Sequence, residues 1–228
     1  MITGAAINAI AILIGGGMGL LLKGRINNKF SRSIMRSMGL CVCVIGISSA
    51  LGGDVMLMVV SLALGTFAGE LLHIDDSLND FALWVQNKLS GGGEGSTFAE
   101  GFVASTLLFC VGAMAVVGSI DSGLRDDQSI ILTKSIIDGV SSVVLAASFG
   151  AGVLFSSVAV FLYQGSIEFF AGYLQDVFTS GLVAQISAVG GIMILAIGAN
   201  MALGGKIKVA NLLPGFLFAA GYYYLFLL

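Results

Sequence analysis

In the stretch LTKSIIDG, residues 132–139, a lysine and an aspartate stand four residues apart inside an otherwise membrane-compatible run. That spacing puts Lys134 and Asp138 on one helix face with Cβ atoms about 5–6 Å apart, where an ammonium and a carboxylate can pair. At the centre of a membrane helix each would cost about 2.5–3.5 kcal/mol on insertion scales, so the pair is expected to point into the protein or toward water. Two chemistries fit. The pair can lock this helix to its neighbours or snorkel to the interface, or it can line a substrate or ion pathway, with the lysine attracting an anion and the aspartate exchanging a proton. Thr133, Ser135, Ser141 and Ser142 add hydroxyls nearby.

Five further polar residues stand in or at the ends of apolar segments and complete the candidate pathway: Asn8, Asn200, Asn211, Gln164 and Glu70. Asn8 and Asn200 lie in the first and seventh segments, as does Gln185. Gln164 closes a span in YQGS and is followed by Glu168, and Asn211 precedes the single proline in NLLPG, where a kink would free a carbonyl. Taken singly, each amide also reads as a hydrogen bond between helices. Glu70 ends the run LALGTFAGELLHID and reads equally as a cap at the water boundary, since His73, Asp75 and Asp76 follow. The glycine runs at 15–17, 190–191 and 198 weaken helix interiors, and broken helices are one way transporters expose backbone to a solute.

The remaining chemistry-bearing residues point nowhere else. Cys41, Cys43 and Cys110 lie in apolar runs without histidine partners, so neither a metal site nor a disulfide framework is expected. No Walker, GxSxG, HExxH or dinucleotide-binding motif occurs, so no catalytic residue, cofactor or enzyme activity is expected. A net charge of −3, without a basic cluster beyond one short loop, argues against a nucleic-acid partner.

These residues must be carried by helices that live in lipid. Of 228 residues, 57% are hydrophobic and 10% charged, and mean hydropathy is +1.02, where soluble domains carry about 25% charged residues. The fold class expected is all-α: a polytopic helical membrane protein whose partner is the bilayer. Apolar segments fall near 2–22, 38–52, 55–72, 98–119, 129–146, 149–164, 182–203 and 209–228, several of them short, for a count of seven or eight spans. The first reads as a retained helix, because its basic residues follow the apolar run. Eight spans would gather Lys23, Arg25, Lys29, Arg32, Arg36, Lys88, Lys206 and Lys208 on one side, which is then cytoplasmic, with both termini outside.

Two connections, 74–89 and 165–178, alternate charged and apolar faces and are expected to be interfacial amphipathic helices, with a flexible linker at 90–97. Each follows three spans, as an inverted repeat of halves 1–90 and 98–180, with 182–228 added as two further helices, would arrange them. A competing similarity, AINAIAILIGGG with AVGGIMILAIGA, would instead pair the first and seventh spans in parallel. The whole of 1–228 is expected to form one membrane domain.

The stretches LLFCVGAMAVVGSI, LTKSIIDG, GVLFSS, YQGS, GGIMILAIGANM and KVANLLPG make the chain resemble, over essentially its full length, a bacterial membrane family known as domain of unknown function 554. The resemblance implies multi-pass placement in the bacterial inner membrane and supplies neither a substrate nor assigned site residues. Ala113 stands where proline is common in that family, so the resemblance by itself implies no kink there. The residues point first to a secondary transporter or ion-coupled carrier for a small solute or ion, with a non-transporting scaffold or sensor, or an oligomeric ion channel, as the alternatives. Glycine-rich faces make a homo-oligomer the expected assembly.

Overall fold

Helix formation follows from the solvent, since in hydrocarbon every backbone N–H and C=O must find its partner within the protein. The computed structural model describes residues 2–23, 28–77, 80, 84, 95–174, 176–205 and 207–227, and among these there is no strand. The helices are α1 (Thr3–Lys23), α2 (Asn28–Ala50), α3 (Val55–Leu71), α4 (Gly95–Cys110), α5 (Ala113–Arg125), α6 (Ser129–Phe149), α7 (Gly152–Phe169), the single turn α8 (Ala171–Leu174), α9 (Ser180–Leu203) and α10 (Gly215–Phe226). A 3-10 turn, Val209–Leu212, leads into α10. The protein is thus an all-α polytopic membrane protein. Five helical stretches are long and apolar enough to cross a bilayer, or up to seven if each of two bent pairs is one span. The bent pairs are α2 with α3, turning by 118°, and α4 with α5, turning by 60°.

The chain divides into two compact units, each drawn from two stretches of sequence: Met1–Ser31 with Ser96–Thr179, and Arg32–Gly95 with Ser180–Leu228. In the first unit α1 and α6 run parallel in close contact, because Gly4 lies against Ile131, Gly15 against Gly139 and Ser142, and Gly19 against Val143 and Ala146. The helix α7 returns antiparallel to α1, with Gly16 beside Leu154 and Gly165 beside Ile2 and Ala5. Ala5, Asn8, Ala9 and Ile12 form the buried stripe of α1 while Ile10, Leu13, Ile14 and Met18 face outward. On α6 the buried stripe holds Ile131, Lys134, Ser135, Asp138, Ser142, Leu145 and Ala146, and Ile136, Ile137 and Val140 are exposed. Charge turned in and aliphatic surface turned out is the arrangement lipid demands.

In the second unit Gly39 and Gly46 of α2 meet Gly198 and Gly191 of α9. The turn between α2 and α3 is held by polar groups: Asp54 N donates to Gln185 Oε1 at 2.8 Å, and Leu57 N donates to Asp54 Oδ1 at 2.8 Å, capping α3. Gln185 therefore serves a helix turn. Gly65 and Gly69 of α3 accept the close approach of Gly215 and Asn211.

Three sequence expectations change here. The glycine runs at 15–17, 190–191 and 198 do not break α1 or α9, which are continuous; Gly15, Gly191 and Gly198 instead admit neighbouring backbones. Breaking a helix in lipid strands hydrogen-bonding groups, a larger cost than glycine's weak helix propensity. The surface helix expected over 165–178 is divided, because α7 continues to Phe169 with Gln164, Gly165, Ile167 and Glu168 buried, and only the turn α8 follows. Phe169, Phe170 and Tyr173 remain exposed there. At Pro214 the last segment does not kink within one α-helix but changes type, from the 3-10 turn to α10, which begins at Gly215. Of the surface helix expected over 74–89, residues 74–77 are helical; 78, 79, 81–83 and 85–89 lie outside the described residues, as do 90–94 of the expected linker.

The α1–α6 contact yields a paired test. A Cβ at residue 15 would fall on Gly139 O and Ser142 Oγ, whereas at Gly17 it would meet nothing within 4 Å. Gly15→Ala should destabilise by about 1–3 kcal/mol through overpacking, and Gly17→Ala should be neutral or stabilising by up to about 1 kcal/mol. Thermal unfolding of the purified variants in detergent compares the two; equal effects would remove the glycine contact as the determinant.

Candidate functional site

Three helices of the first unit bring together Lys134, Asp138, Asn8 and Gln164. The α6 spacing sets Lys134 beside Asp138, and the ammonium meets Asp138 Oδ2 at 2.6 Å with both side chains almost fully buried. The lysine therefore turns inward to its carboxylate and does not snorkel. Across the close α1–α6 contact, Asn8 Nδ2 donates to the same Asp138 Oδ2 at 3.0 Å, and its second hydrogen goes to Gln164 Oε1 of α7, also at 3.0 Å. Asn8 and Gln164 are wholly buried.

Asn8 is the hub, and the acceptor character of its neighbours fixes which way its amide points. An ionised carboxylate can only accept, so the NH2 of Asn8 must face Asp138, and Gln164 must then present its oxygen to Asn8. That orientation leaves Asn8 Oδ1 and Gln164 Nε2 buried without a hydrogen-bond partner. One acceptor and one donor in the same cluster thus retain unused capacity, and in a low-dielectric interior such groups are costly unless something occupies them.

Glu168 extends the cluster toward one end of the helices and lies outside the set of candidates that the sequence singles out. It stands four residues after Gln164 on the buried face of α7, 4% exposed. Its Oε1 accepts from Ala5 N in the first turn of α1 at 2.7 Å, and its Oε2 has no partner. A carboxylate at the start of α1 also meets the positive end of that helix dipole. The spacing of Gln164 and Glu168 was the available signal, masked by a segment boundary set at residue 164.

The bend between α4 and α5 belongs to the same unit. Gly112 holds φ +127°, a conformation that L side chains rarely adopt, and α5 starts at Ala113 without a side-chain cap. Glycine at 112 makes this break without proline at 113. Cys110, at the end of α4, lies within electrostatic range of Lys134 and Asp138. The nearby hydroxyls are already used within their own helices: Thr133 donates to Ser129 O, Ser135 to Ile131 O and Ser142 to Gly139 O.

The other three candidates belong to the second unit, and there each has its own setting. Asn200 closes the loop after α9, donating to Ile207 O at 2.9 Å and accepting from Ile207 N at 3.0 Å. Asn211 is buried in the 3-10 turn and its Oδ1 accepts from Asp75 N at 2.8 Å. Glu70 is exposed near the end of α3. Nearby, Lys208 pairs with Asp76 at 3.0 Å and holds that carboxyl below its usual range by hydrogen bond and charge. Among the described residues no group of three or more histidine, cysteine or acidic side chains could hold a metal ion.

A family profile described as "Protein of unknown function (DUF554)" matches residues 3–224. The chain is 32% identical over 219 residues to the uncharacterized membrane protein YdfK of Bacillus subtilis (strain 168), covering 94% of this chain and 92% of that protein. It is 29% identical over 223 residues to the uncharacterized protein YqgA of Escherichia coli (strain K12), covering 96% and 95%. No solved structure matches.

The charge pair makes a double-mutant prediction. Lys134→Leu and Asp138→Leu should each destabilise by about 3–5 kcal/mol, because the surviving charge is left buried and unpaired, while the double variant should lose less than either. Unfolding of the four proteins, followed by loss of helical circular dichroism, measures the coupling. Additive losses would mean the two charges are independent.

Proposed function

The chain belongs to the DUF554 family of membrane proteins, and from that premise we propose that it is a secondary transporter or ion-coupled carrier for a small solute or ion across the bacterial inner membrane. The observation that carries this reading is the buried cluster Lys134–Asp138–Asn8–Gln164, which joins three membrane helices and keeps an unused donor and acceptor. A cluster built only to fasten helices would use its hydrogen-bonding capacity fully. Intramembrane charges that face the protein interior commonly mark substrate or ion pathways. The bend at Gly112, in the same unit as the charge pair, supports the same reading, since discontinuous helices are a recurrent element of carrier sites.

In this reading Lys134 attracts an anionic group or holds Asp138 ionised, Asp138 responds to the driving ion, and Asn8 and Gln164 orient what enters. In this reading α2 and α3 cross separately while α4 and α5 form one bent span, which makes eight crossings and puts both termini in the periplasm. That orientation agrees with the basic loops of the sequence and with the parallel course of α1 and α6, which puts the starting ends of both helices on one side.

The test is uptake by purified protein in liposomes, offered small anions, cations and amino acids under imposed proton and sodium gradients. One class of solute should accumulate. Asp138→Asn should stay folded and lose the response to the gradient, while Lys134→Ala should mainly weaken substrate binding. Full uptake by a folded Lys134→Leu/Asp138→Leu protein would show that the pair is a structural fastening and favour the scaffold.

A further inference from the structure

Helices α1 and α7 cross-link through two successive rungs. The outer rung joins Ala5 N to Glu168 Oε1 at 2.7 Å, and the inner rung joins Asn8 Nδ2 to Gln164 Oε1 at 3.0 Å. Each rung is one helical turn from the other on its own helix, and the inner rung continues to Asp138 through the second hydrogen of Asn8 at 3.0 Å. All three side chains of this ladder keep one buried atom without a partner: Glu168 Oε2, Gln164 Nε2 and Asn8 Oδ1. The set contains two acceptors and one donor. A water molecule's two donors and its acceptor would match that set in kind.

Glu168 is stabilised by backbone N–H at the start of α1 and not by a cationic side chain. Asp138 has Lys134, and Asp121 at the end of α5 has Arg125 at 3.0 Å. Among the described residues no cationic side chain forms an ion pair with Glu168. The elements packed around it contribute the first turn of α1, Ser122 and Gly123 of α5, and Gln128 ahead of α6. Ser122, whose hydroxyl lies within hydrogen-bonding range of Glu168 and donates to Gln128 Oε1 at 2.9 Å, is neutral, and Asp127 accepts from Ser129 N at 3.0 Å, so neither supplies a positive charge. Burying a carboxylate without a counter-ion costs several kcal/mol, and a proton removes that cost without needing the five or six oxygens of a metal cation.

We propose that Glu168 is a proton-binding carboxyl of the pathway and that the driving ion is the proton, with the polar side chains of Gln164 and Asn8 lying between it and Asp138 in the order of the hydrogen bonds. A proton arriving from the aqueous end bonds to Glu168 Oε2, leaving a neutral carboxylic acid. Its departure to a water molecule regenerates the carboxylate and leaves that water as hydronium, from which bulk water takes the proton. The proposal deepens the carrier reading by naming its driving ion, yet protonation of Glu168 can be read without any transport.

The experiment is difference infrared spectroscopy of the full chain in lipid nanodiscs, moved between alkaline and acidic buffer. The wild type should gain a carboxylic-acid C=O band that is lost in Glu168→Gln, kept in Asp138→Asn, and shifted in frequency in Glu168→Asp. The last variant serves if the glutamine protein does not fold. Replacing sodium by a large organic cation at fixed pH should leave the band unchanged. A band that survives intact in both Glu168 variants, or no carboxyl protonation in the wild type, would reduce Glu168 to a cap on α1. A band that sodium suppresses at fixed pH would overturn the proton in favour of a metal cation. Protonation of Glu168 without any solute uptake would sink the carrier reading alone, and uptake without protonation of Glu168 would sink only this proposal.

Discussion

A lysine and an aspartate can remain inside a lipid-exposed bundle only if they meet each other and a third polar group, and the contact between α1 and α6 supplies that condition. Asn8 reaches Asp138 because Gly15 and Gly19 let the two backbones approach closely along the same direction. Were the helices held apart by ordinary side chains, the amide could not satisfy the carboxylate. The surrounding arrangement follows from this: hydroxyls turned back onto their own helices, aliphatic residues facing outward, and α7 returning so that Gln164 completes the amide bridge.

The same economy of polar groups explains where helices stop. Between α2 and α3 the chain can leave helical geometry because Asp54 and Gln185 take over its hydrogen bonds. Between α4 and α5 it turns at a glycine in a conformation other residues avoid. Glycine runs that lack such substitutes stay helical and become packing surfaces. In hydrocarbon the presence of replacement partners decides whether a helix breaks, more than intrinsic propensity does.

A polar cluster that holds three helices together is not by that fact a working site. The distinction lies in completeness. Lys134 and Asp138 engage each other directly, whereas Asn8 Oδ1, Gln164 Nε2 and Glu168 Oε2 have no protein partner. The functional reading rests on these unpaired atoms, which belong to the two helices packed against each other beside the charge pair.

Much was legible from residue order. Hydropathy alone identified a polytopic helical protein, because no soluble fold tolerates so few charges, and the four-residue spacing of Lys134 and Asp138 sufficed to pair them. Asn8 and Gln164 stood out for being amides in or at the ends of apolar runs. What sequence could not decide was which of the polar residues meet. Asn200, Asn211 and Glu70 looked equivalent to Asn8, yet they sit in the other unit, two of them satisfying loops and turns and the third exposed. Glu168 was hidden by a helix end placed one turn too early. Local periodicity reports which face of a helix is polar, but only the tertiary structure sets which helix that face meets, because helices in lipid choose neighbours by backbone approach and hydrogen-bond complementarity, which hydropathy does not encode.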